Sequence, residues 1–386
     1  MKIATRVIQV IVAVLFVISG LVKANDPLGL AYKMEEFFQL WTDALNNGHF
    51  FAKAPLISLI NFLDQHTLFL AVSMITLEIV TGVALLLGWA KRFILWLLLL
   101  LIIFFSFLTG YAYLSGKFTN CGCFGDCLPI TPLTSFGKDI LLLVLISFLI
   151  TKQRYIVPVL QRLRPILVFG SLLFALFLQW YVLNYLPLVD CLPMKKGNNL
   201  NEQTKPPKDA KPPVYETRLV YQNKKTGALK EMSQSEFNES KIWEDSSWKW
   251  KDTKTNLVYQ GSDVPKLQNF SLKTFSGVDS TQAILNYPGY YILYFINPKQ
   301  GKSSIDFTLL NNLWKSGIPS YIITSSPGDF SRSPSNFPVL SCDGTVFRIA
   351  ARVNPTIYFM KQGTIINKWP AAAAGQVEKF INELKK

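Results

Sequence analysis

The sequence predicts a membrane all-α helical bundle with five transmembrane helices, followed by an α/β domain. Half of the 386 residues are hydrophobic and only 17% are charged, whereas soluble domains average about 25% charged residues. The apolar excess lies in residues 1–189, and residues 190–386 have the composition of a Lys-rich soluble domain. These values exclude a wholly soluble or a disordered protein. Five cysteines are too few for a small scaffold held together by disulfides.

Five runs of the first half are apolar enough, at roughly 20 residues each, to cross a bilayer as helices. They are residues 7–22, 67–90, 93–116, 140–151 with an extension back to 132, and 165–189. The first run is followed by Lys23 and Ala24, where a signal peptidase would need small residues. We therefore expect a retained span and not a removed signal peptide.

Basic residues predict the orientation of the bundle. They flank the first run and fill the connections between runs two and three and between runs four and five: Lys2, Arg6, Lys91, Arg92, Lys152, Arg154, Arg162 and Arg164. The positive-inside rule then places the N-terminus in the cytoplasm of a bacterial inner membrane and the C-terminal domain in the periplasm. The net charge of +14 is dispersed and forms no basic helix, so we expect the lipid bilayer and no nucleic acid as a partner.

The second half divides by composition into three parts. Residues 191–213, rich in Lys, Asn, Gly and Pro, predict a linker that follows the bundle of residues 1–190. Residues 214–262 predict a small β-rich segment with a hairpin. Residues 263–386 predict an α/β sandwich: strands at 290–296 and 318–324 flank a helix at 303–315, and a hairpin turning at Gly363 precedes a last helix at 376–384.

This last part resembles the thioredoxin-like family. The resemblance is carried by the strand at 290–296, by Asn354-Pro355-Thr356 before the next strand, and by the Gly363 hairpin. It implies a cis proline that faces a redox loop. Where the family has Cys-x-x-Cys, this chain has Asn297-Pro298-Lys299-Gln300, which excludes disulfide exchange at that loop. We therefore expect a redox-inactive binding domain, with Cys342 a buried structural thiol.

Four cysteines fall at the predicted periplasmic face of the bundle. Cys121, Cys123 and Cys127 lie between runs three and four, and Cys191 follows run five. Because strained, exposed disulfides exchange readily, a catalytic thiol-exchange site is the first hypothesis. A structural disulfide is the second and a metal site the third, although neither His49 nor His66 has metal-ligand spacing to these cysteines. The sequence leaves the pairing of the four thiols open.

Four ionisable residues lie inside or at the ends of the predicted spans: Lys23, Glu78, Lys138 and Asp139. Charged side chains within a bilayer are costly and usually mark a site. If the four converge, they form a polar pocket beneath the cysteine loop. The alternative is that they pair only to hold the helices together.

Residues 1–152 resemble the DoxX/MauE-like family of small four-helix membrane proteins. The motifs are Ser19-Gly20-Leu21-Val22-Lys23, then Glu78 with Gly82 and Gly88, then Cys121-Gly122-Cys123-Phe124-Gly125, and Phe136-Gly137-Lys138-Asp139. The resemblance implies an inner-membrane protein linked to thiol redox chemistry or to the maturation of periplasmic redox proteins.

Three functional hypotheses follow. In the first, Cys121 and Cys123 exchange with a periplasmic protein client, Cys127 or Cys191 resolves the mixed disulfide, and electrons pass to a quinone beside Glu78. The second is a non-enzymatic envelope assembly or scaffolding protein whose cysteines form a static brace. The third, a solute transporter, lacks the repeated or broken helices typical of that class.

Overall fold

The fold was analysed in a computed structural model, which describes residues 1–48, 53–116, 127, 130–207, 210, 214–259, 265–298, 307–330 and 337–384. The described part of the first half is helical: α1 Lys2–Ala24, α2 Pro27–Asn47, α3 Lys53–Asp64, α4 Thr67–Leu87, α5 Lys91–Ser115, α6 Pro132–Thr151 and α7 Arg164–Tyr185. Five of these helices, α1, α4, α5, α6 and α7, are long and apolar enough to cross a membrane. The five predicted spans are therefore confirmed as helices.

Close packing of α1 against α4 depends on two glycines. A Cβ atom on Gly20 would lie 2.6 Å from Cγ1 of Ile79, and one on Gly82 would lie 2.9 Å from the carbonyl oxygen of Ala13. Small residues allow helix backbones to approach closely in a bilayer, where packing and not water exclusion holds helices together. The two glycines bring the polar residues of α1 within reach of α4.

Helix α2 lies between the first two predicted spans, where residues 24–66 were expected from the sequence to form a loop, and this expectation was wrong. Asp26 caps the helix by accepting a hydrogen bond of 3.1 Å from the backbone N–H of Gly29, and Pro27 occupies the first turn. Leu30, Met34 and Phe38 recur every four residues and pack against α4. Charged residues separate these apolar residues in the sequence, so the helix does not stand out as an uninterrupted apolar run.

The predicted β-rich segment forms a three-stranded antiparallel sheet. Its strands are β1 Val214–Asn223, β2 Leu229–Ser233 and β3 Trp248–Tyr259, in the order β2-β1-β3. A short helix, α9 Gln234–Ser240, follows β2 and begins with a capping box between Ser233 and Glu236. The predicted hairpin is present as β1 and β2.

The first part of the predicted linker is attached to the α/β domain. Leu200, in the short helix α8 Leu200–Gln203, is fully buried in the core of that domain. Its backbone N–H donates to the carbonyl oxygen of Gly363 at 2.8 Å, and that of Gly197 donates to Ile365 at 2.8 Å. The chain is thus anchored to the domain soon after it leaves α7.

The C-terminal domain is built on a five-stranded mixed sheet. The strands are β4 Tyr290–Phe295, β5 Ser320–Thr324, β6 Val339–Ser341, β7 Thr356–Lys361 and β8 Thr364–Pro370. Their order is β6-β5-β4-β7-β8, with β4, β5 and β6 parallel and β7 and β8 antiparallel to their neighbours. The helices are α10 Thr281–Leu285, α11 Thr308–Lys315, α12 Gly344–Ala350 and α13 Ala374–Leu384.

Both faces of this sheet are covered, as an α/β sandwich requires. Tyr291 and Tyr358 belong to one buried cluster, and Ile292 and Phe359 belong to the other. The sequence analysis did not predict β6, which has only three residues, or α12, which Asp343 caps through backbone N–H groups of the first turn. The start of the predicted helix at 303–306 lies outside the described residues, as do Lys299 and Gln300.

The Asn354–Pro355 peptide bond is cis. The side chain of Asn354 bridges to the end of β4: it accepts a hydrogen bond of 2.9 Å from the backbone N–H of Asn297 and donates one of 2.8 Å to the Asn297 carbonyl oxygen. The proline turn and the loop after β4 are thereby held side by side.

Candidate functional site in the bundle and at its domain-facing end

Lys23 and Glu78 form a buried ion pair between α1 and α4. The distance from Lys23 Nζ to Glu78 Oε1 is 2.5 Å, and the side chains are 3% and 1% exposed. Lys23 also donates to the Ser19 hydroxyl at 3.1 Å and lies 4.3 Å from the centre of the Phe105 ring. The second carboxylate oxygen of Glu78 is buried and has no hydrogen-bond partner among the described residues.

A second pair, Lys138 and Asp139, lies on α6. Lys138 Nζ is 2.7 Å from Asp139 Oδ1, and the hydroxyl of Thr109 on α5 donates to Asp139 Oδ2 at 3.0 Å. Asp139 is fully buried, whereas Lys138 remains a quarter exposed. Asp139 therefore links α6 to α5, and Lys138 is the more exposed residue of the pair.

One cavity touches all four ionisable residues, so the predicted convergence is present. The cavity lies among α1, α4, α5 and α6 and has a volume of about 20 Å³. That space holds about one water molecule, whereas sites for small organic ligands are typically about 300–1,000 Å³. The cavity is therefore smaller than typical sites for an organic ring, and the quinone expected from the sequence stays a prediction.

Glutamine side chains, which the sequence analysis did not single out, add polar links inside the bundle. Gln9 on α1 donates to the Leu85 carbonyl oxygen at 2.6 Å, and Gln179 on α7 donates to the Thr76 hydroxyl at 2.9 Å. Both glutamines are buried. A single polar residue within an apolar run could have indicated these links. The glutamines were missed because they carry no charge, and only charged residues within the runs were considered.

The structure pairs Cys127 with Cys191 in a disulfide, with Cα atoms 4.9 Å apart. Both residues are partly exposed. The bond joins the α5–α6 connection to the segment after α7, at the end of the bundle where α1 ends and α4 begins; we call this the domain-facing end. Of the pairings left open by the sequence, a ring of Cys127 with Cys121 or Cys123 is not the one found.

Cys121, Cys123 and His49 lie outside the described residues. Among the residues that are described, no group of His, Cys, Asp and Glu side chains has the arrangement of a metal site. His66 precedes α4 at the surface, where its Nδ1 lies 2.8 Å from the Phe62 carbonyl oxygen. Of the four cysteines in the predicted thiol-exchange site, the structure therefore describes Cys127 and Cys191, which form the disulfide.

The α/β domain docks on α2 through its helix α12 and the turn that follows. Arg352 Nε donates to Asp26 Oδ2 at 2.9 Å, and Arg348 Nη1 lies 2.8 Å from Glu35 Oε2. The guanidinium groups of Arg348 and Arg352 lie 4.8 and 5.3 Å from the centre of the Tyr32 ring. Arg352 is 6% exposed, and such sheltered contacts are stronger than surface ion pairs.

Another set of contacts lies beside the disulfide. Lys368 on β8 forms an ion pair with Asp190, the residue before Cys191. Burial lowers the pKa of Lys368, and the Asp190 carboxylate opposes that shift. Asn25, at the end of α1, accepts from the backbone N–H of Val189 at 3.0 Å and donates to its carbonyl oxygen at 2.8 Å. The disulfide, α1 and the docked domain therefore share one junction.

Cys342 is buried in the α/β domain, as the sequence analysis expected. Burial raises the pKa of its thiol from the ordinary 9.0 to about 12. Because only the thiolate reacts, we predict that an alkylating reagent at about pH 9 leaves Cys342 unmodified until the domain is unfolded. The folded state keeps this proton to higher pH than the unfolded chain, so the domain should lose stability as the pH rises from about 9 towards 12. Rapid labelling of Cys342 in the native protein would contradict this.

Comparison with known proteins finds a similar family for the first part of the chain. Residues 1–152, which contain α1 to α6, match the family model of the methylamine utilisation protein MauE. No curated protein and no solved structure matches the chain. The match includes Lys23, Glu78, Cys127 and the Lys138–Asp139 pair, and it ends before α7 and the α/β domain. Over residues 1–152 the chain is therefore similar to MauE proteins, and its five long apolar helices are those of a multi-pass membrane protein.

Proposed function

We propose that the protein is a MauE-type accessory protein of a bacterial inner membrane that exchanges disulfides with exported protein clients, as in the maturation of periplasmic redox proteins. The observation that carries this proposal is the partly exposed Cys127–Cys191 disulfide beside the docked α/β domain. A client that reaches this junction meets an oxidised cysteine pair. The name of the matching family, methylamine utilisation, supports an accessory role in building such an exported protein.

The charge distribution supports a periplasmic position for this junction. Lys2, Lys91 and Arg164 begin α1, α5 and α7 at the end of the bundle opposite Cys191. Basic residues concentrate on the cytoplasmic side of membrane proteins. The disulfide and the α/β domain then lie in the oxidising compartment, where disulfides persist.

The proposed reaction is an exchange between two cysteine pairs. A client thiolate attacks one sulfur of the Cys127–Cys191 bond, which forms a mixed disulfide and releases the other cysteine as a thiolate. The second client thiol then displaces the first sulfur. The client gains a disulfide, and Cys127 and Cys191 take up its two electrons and two protons. In a second route, Cys121 and Cys123, six and four residues before Cys127, take the place of the client thiols: they reduce the Cys127–Cys191 bond, form a disulfide with each other, and that disulfide then oxidises the client.

We further propose that the α/β domain is a thioredoxin-like module that binds the client without exchanging disulfides itself. Its strand order and mixed directions support this identity. Its loop after β4 has no cysteine, and Cys342 is buried. The domain would hold the client over the junction while the cysteines of the bundle react.

The test uses the full-length protein in lipid nanodiscs and a reduced peptide with two cysteines. The wild type should oxidise about one peptide per protein, as measured by mass spectrometry after acid quenching and alkylation. Cys127→Ser with Cys191→Ser should abolish the reaction, and the control Cys342→Ala should leave it unchanged. An unreacted peptide with the wild type, or equal oxidation by the double variant, would show that this bond does not exchange.

A second candidate, a scaffolding protein with a static brace, is favoured by the number of contacts at the junction. The Asn25–Val189 hydrogen bonds and the Asp190–Lys368 ion pair lie within two residues of Cys191. In this case the disulfide would resist the peptide, and the protein would bind its partner equally well in the oxidised and the reduced state.

A further inference from the structure

The Glu78 carboxylate is only half satisfied. Oε1 is bound to Lys23, but Oε2 is buried without a hydrogen-bond partner among the described residues. An unmet buried acceptor destabilises the folded protein, and more so when the group is charged. The side chain is 1% exposed and lines the cavity described above, so what fills that cavity determines how this oxygen is satisfied.

The cavity selects its occupant by size and polarity. Its volume of about 20 Å³ suits one water molecule, which needs two to four polar partners to be retained. The walls offer Lys23, Glu78, the Ser19 hydroxyl and the Lys138–Asp139 pair, and the other lining residues are apolar. A single water molecule can meet these requirements, whereas an organic ring cannot enter.

Among the described residues, the charged groups that line the cavity lie on three helices. Helix α1 presents Lys23, α4 presents Glu78, and α6 presents Lys138 and Asp139. Helix α5 contributes the apolar Ile102 and Phe105 to the lining, and its Thr109 hydroxyl donates to Asp139. Two cations thus balance two anions. A proton added here gives the cluster one net positive charge, which must remain stabilised for the site to accept it.

The surroundings of Lys23 provide that stabilisation. If Glu78 becomes neutral, Lys23 retains its hydrogen bond to Ser19 and its position over the Phe105 ring. A cation over an aromatic face is stabilised by the ring, and more strongly when it is shielded from water. Lys138, a quarter exposed, is the most exposed of the four charged side chains of the cavity.

From these contacts we infer that the cavity is a proton-binding site, in which a single water molecule bound to Glu78 Oε2 delivers a proton to that carboxylate. The proton comes from bulk water on the Lys138 side and neutralises Glu78, and no bond between heavy atoms changes. This inference does not depend on the proposed disulfide exchange. It assigns to the intramembrane cluster a ligand, water and a proton, that differs from the quinone expected from the sequence.

Infrared difference spectra of the full-length protein in nanodiscs, recorded between acidic and alkaline buffers, test this inference. The C=O band of a protonated buried carboxyl should appear in acid, shift in D₂O, and be lost in Glu78→Gln. The matched control Glu36→Gln, a 44% exposed partner of Lys33, should retain the band. If the band persists in Glu78→Gln, never appears in the wild type, or is lost only in Asp139→Asn, the assignment to Glu78 is wrong.

A double variant and the addition of a quinone complete the test. Glu78→Gln leaves Lys23 buried without its carboxylate and can prevent folding, so Lys23→Met with Glu78→Gln, which leaves neither charge, should fold and also lack the band. A short-chain, water-soluble quinone should leave the wild-type band unchanged, since the cavity is too small for its ring. A shift of the band on addition of the quinone would overturn the water-sized site.

Discussion

Replacing Lys23 by methionine is expected to lower the free energy of unfolding of the membrane bundle by about 3–5 kcal/mol. The substitution keeps the length of the side chain but leaves the Glu78 carboxylate buried with neither oxygen bound to a cation. Lys23 is 3% exposed and Glu78 is 1% exposed, so bulk water does not solvate the carboxylate in place of the lost cation. Unfolding in mixed detergent micelles, followed by circular dichroism, measures the change.

Two comparison variants separate the ion pair from the packing of the side chain. Lys23→Met combined with Glu78→Met removes both charges, and such replacements of a buried pair are often neutral or stabilising. The double variant should therefore recover most of the lost stability. Lys33→Met removes a surface pair with Glu36 and should change the stability by less than about 1 kcal/mol. A single Lys23 variant as stable as the wild type would contradict the buried pair.

Replacing Cys127 and Cys191 together by serine is expected to lower stability by about 2–4 kcal/mol. The disulfide joins residues separated by 64 positions, and it therefore reduces the conformational entropy of the unfolded chain. We also expect faster hydrogen exchange in the segment 189–192, because Asp190 and Val189 connect the disulfide to Lys368 and Asn25. The effect should extend to α12, because Asp26, the neighbour of Asn25, binds Arg352 in the turn after α12. Chemical unfolding and hydrogen-exchange mass spectrometry measure the two effects.

Reductant provides the control for this prediction. It should reproduce both effects in the wild type and have no further effect on the serine double variant. If the double variant unfolds like the wild type and α12 exchanges at the same rate, the disulfide does not stabilise the junction.

The sequence was sufficient to predict features that depend on local pattern. The five spans follow from apolar runs, and the β4, β5 and β7–β8 strands follow from β-branched and aromatic runs ending at turn residues. The convergence of Lys23, Glu78, Lys138 and Asp139 could also be expected, because charges in a bilayer are stable only when they are paired inside the bundle.

The features that the sequence could not predict depend on contacts between distant residues. Arg352 and Asp26 are separated by 326 positions, and Lys368 is separated from Asp190 by most of the second half of the chain. Each of these residues alone is an ordinary charge in a polar segment. The pairing of Cys127 with Cys191 was open for the same reason, since the distance between two thiols depends on how α6 and α7 return to one end of the bundle.

The size of the intramembrane cavity could likewise not be predicted from the sequence. Residue types showed that the pocket is polar, but the space left between α1 and α6 depends on the packing of side chains such as Leu15 and Leu142. The packing of these side chains determines whether the cavity holds only a water molecule or a larger molecule such as a quinone.

The central claim is that the cysteines, the buried charges and the α/β domain meet at one end of the bundle. Peptide mapping of the protein from intact membranes, with thiols blocked at lysis and no reductant added, tests it most directly. The structure predicts a cross-linked peptide pair that contains Cys127 and Cys191. If Cys127 were found linked only to Cys121 or Cys123, and Cys191 always as a free thiol, the junction described here would be wrong.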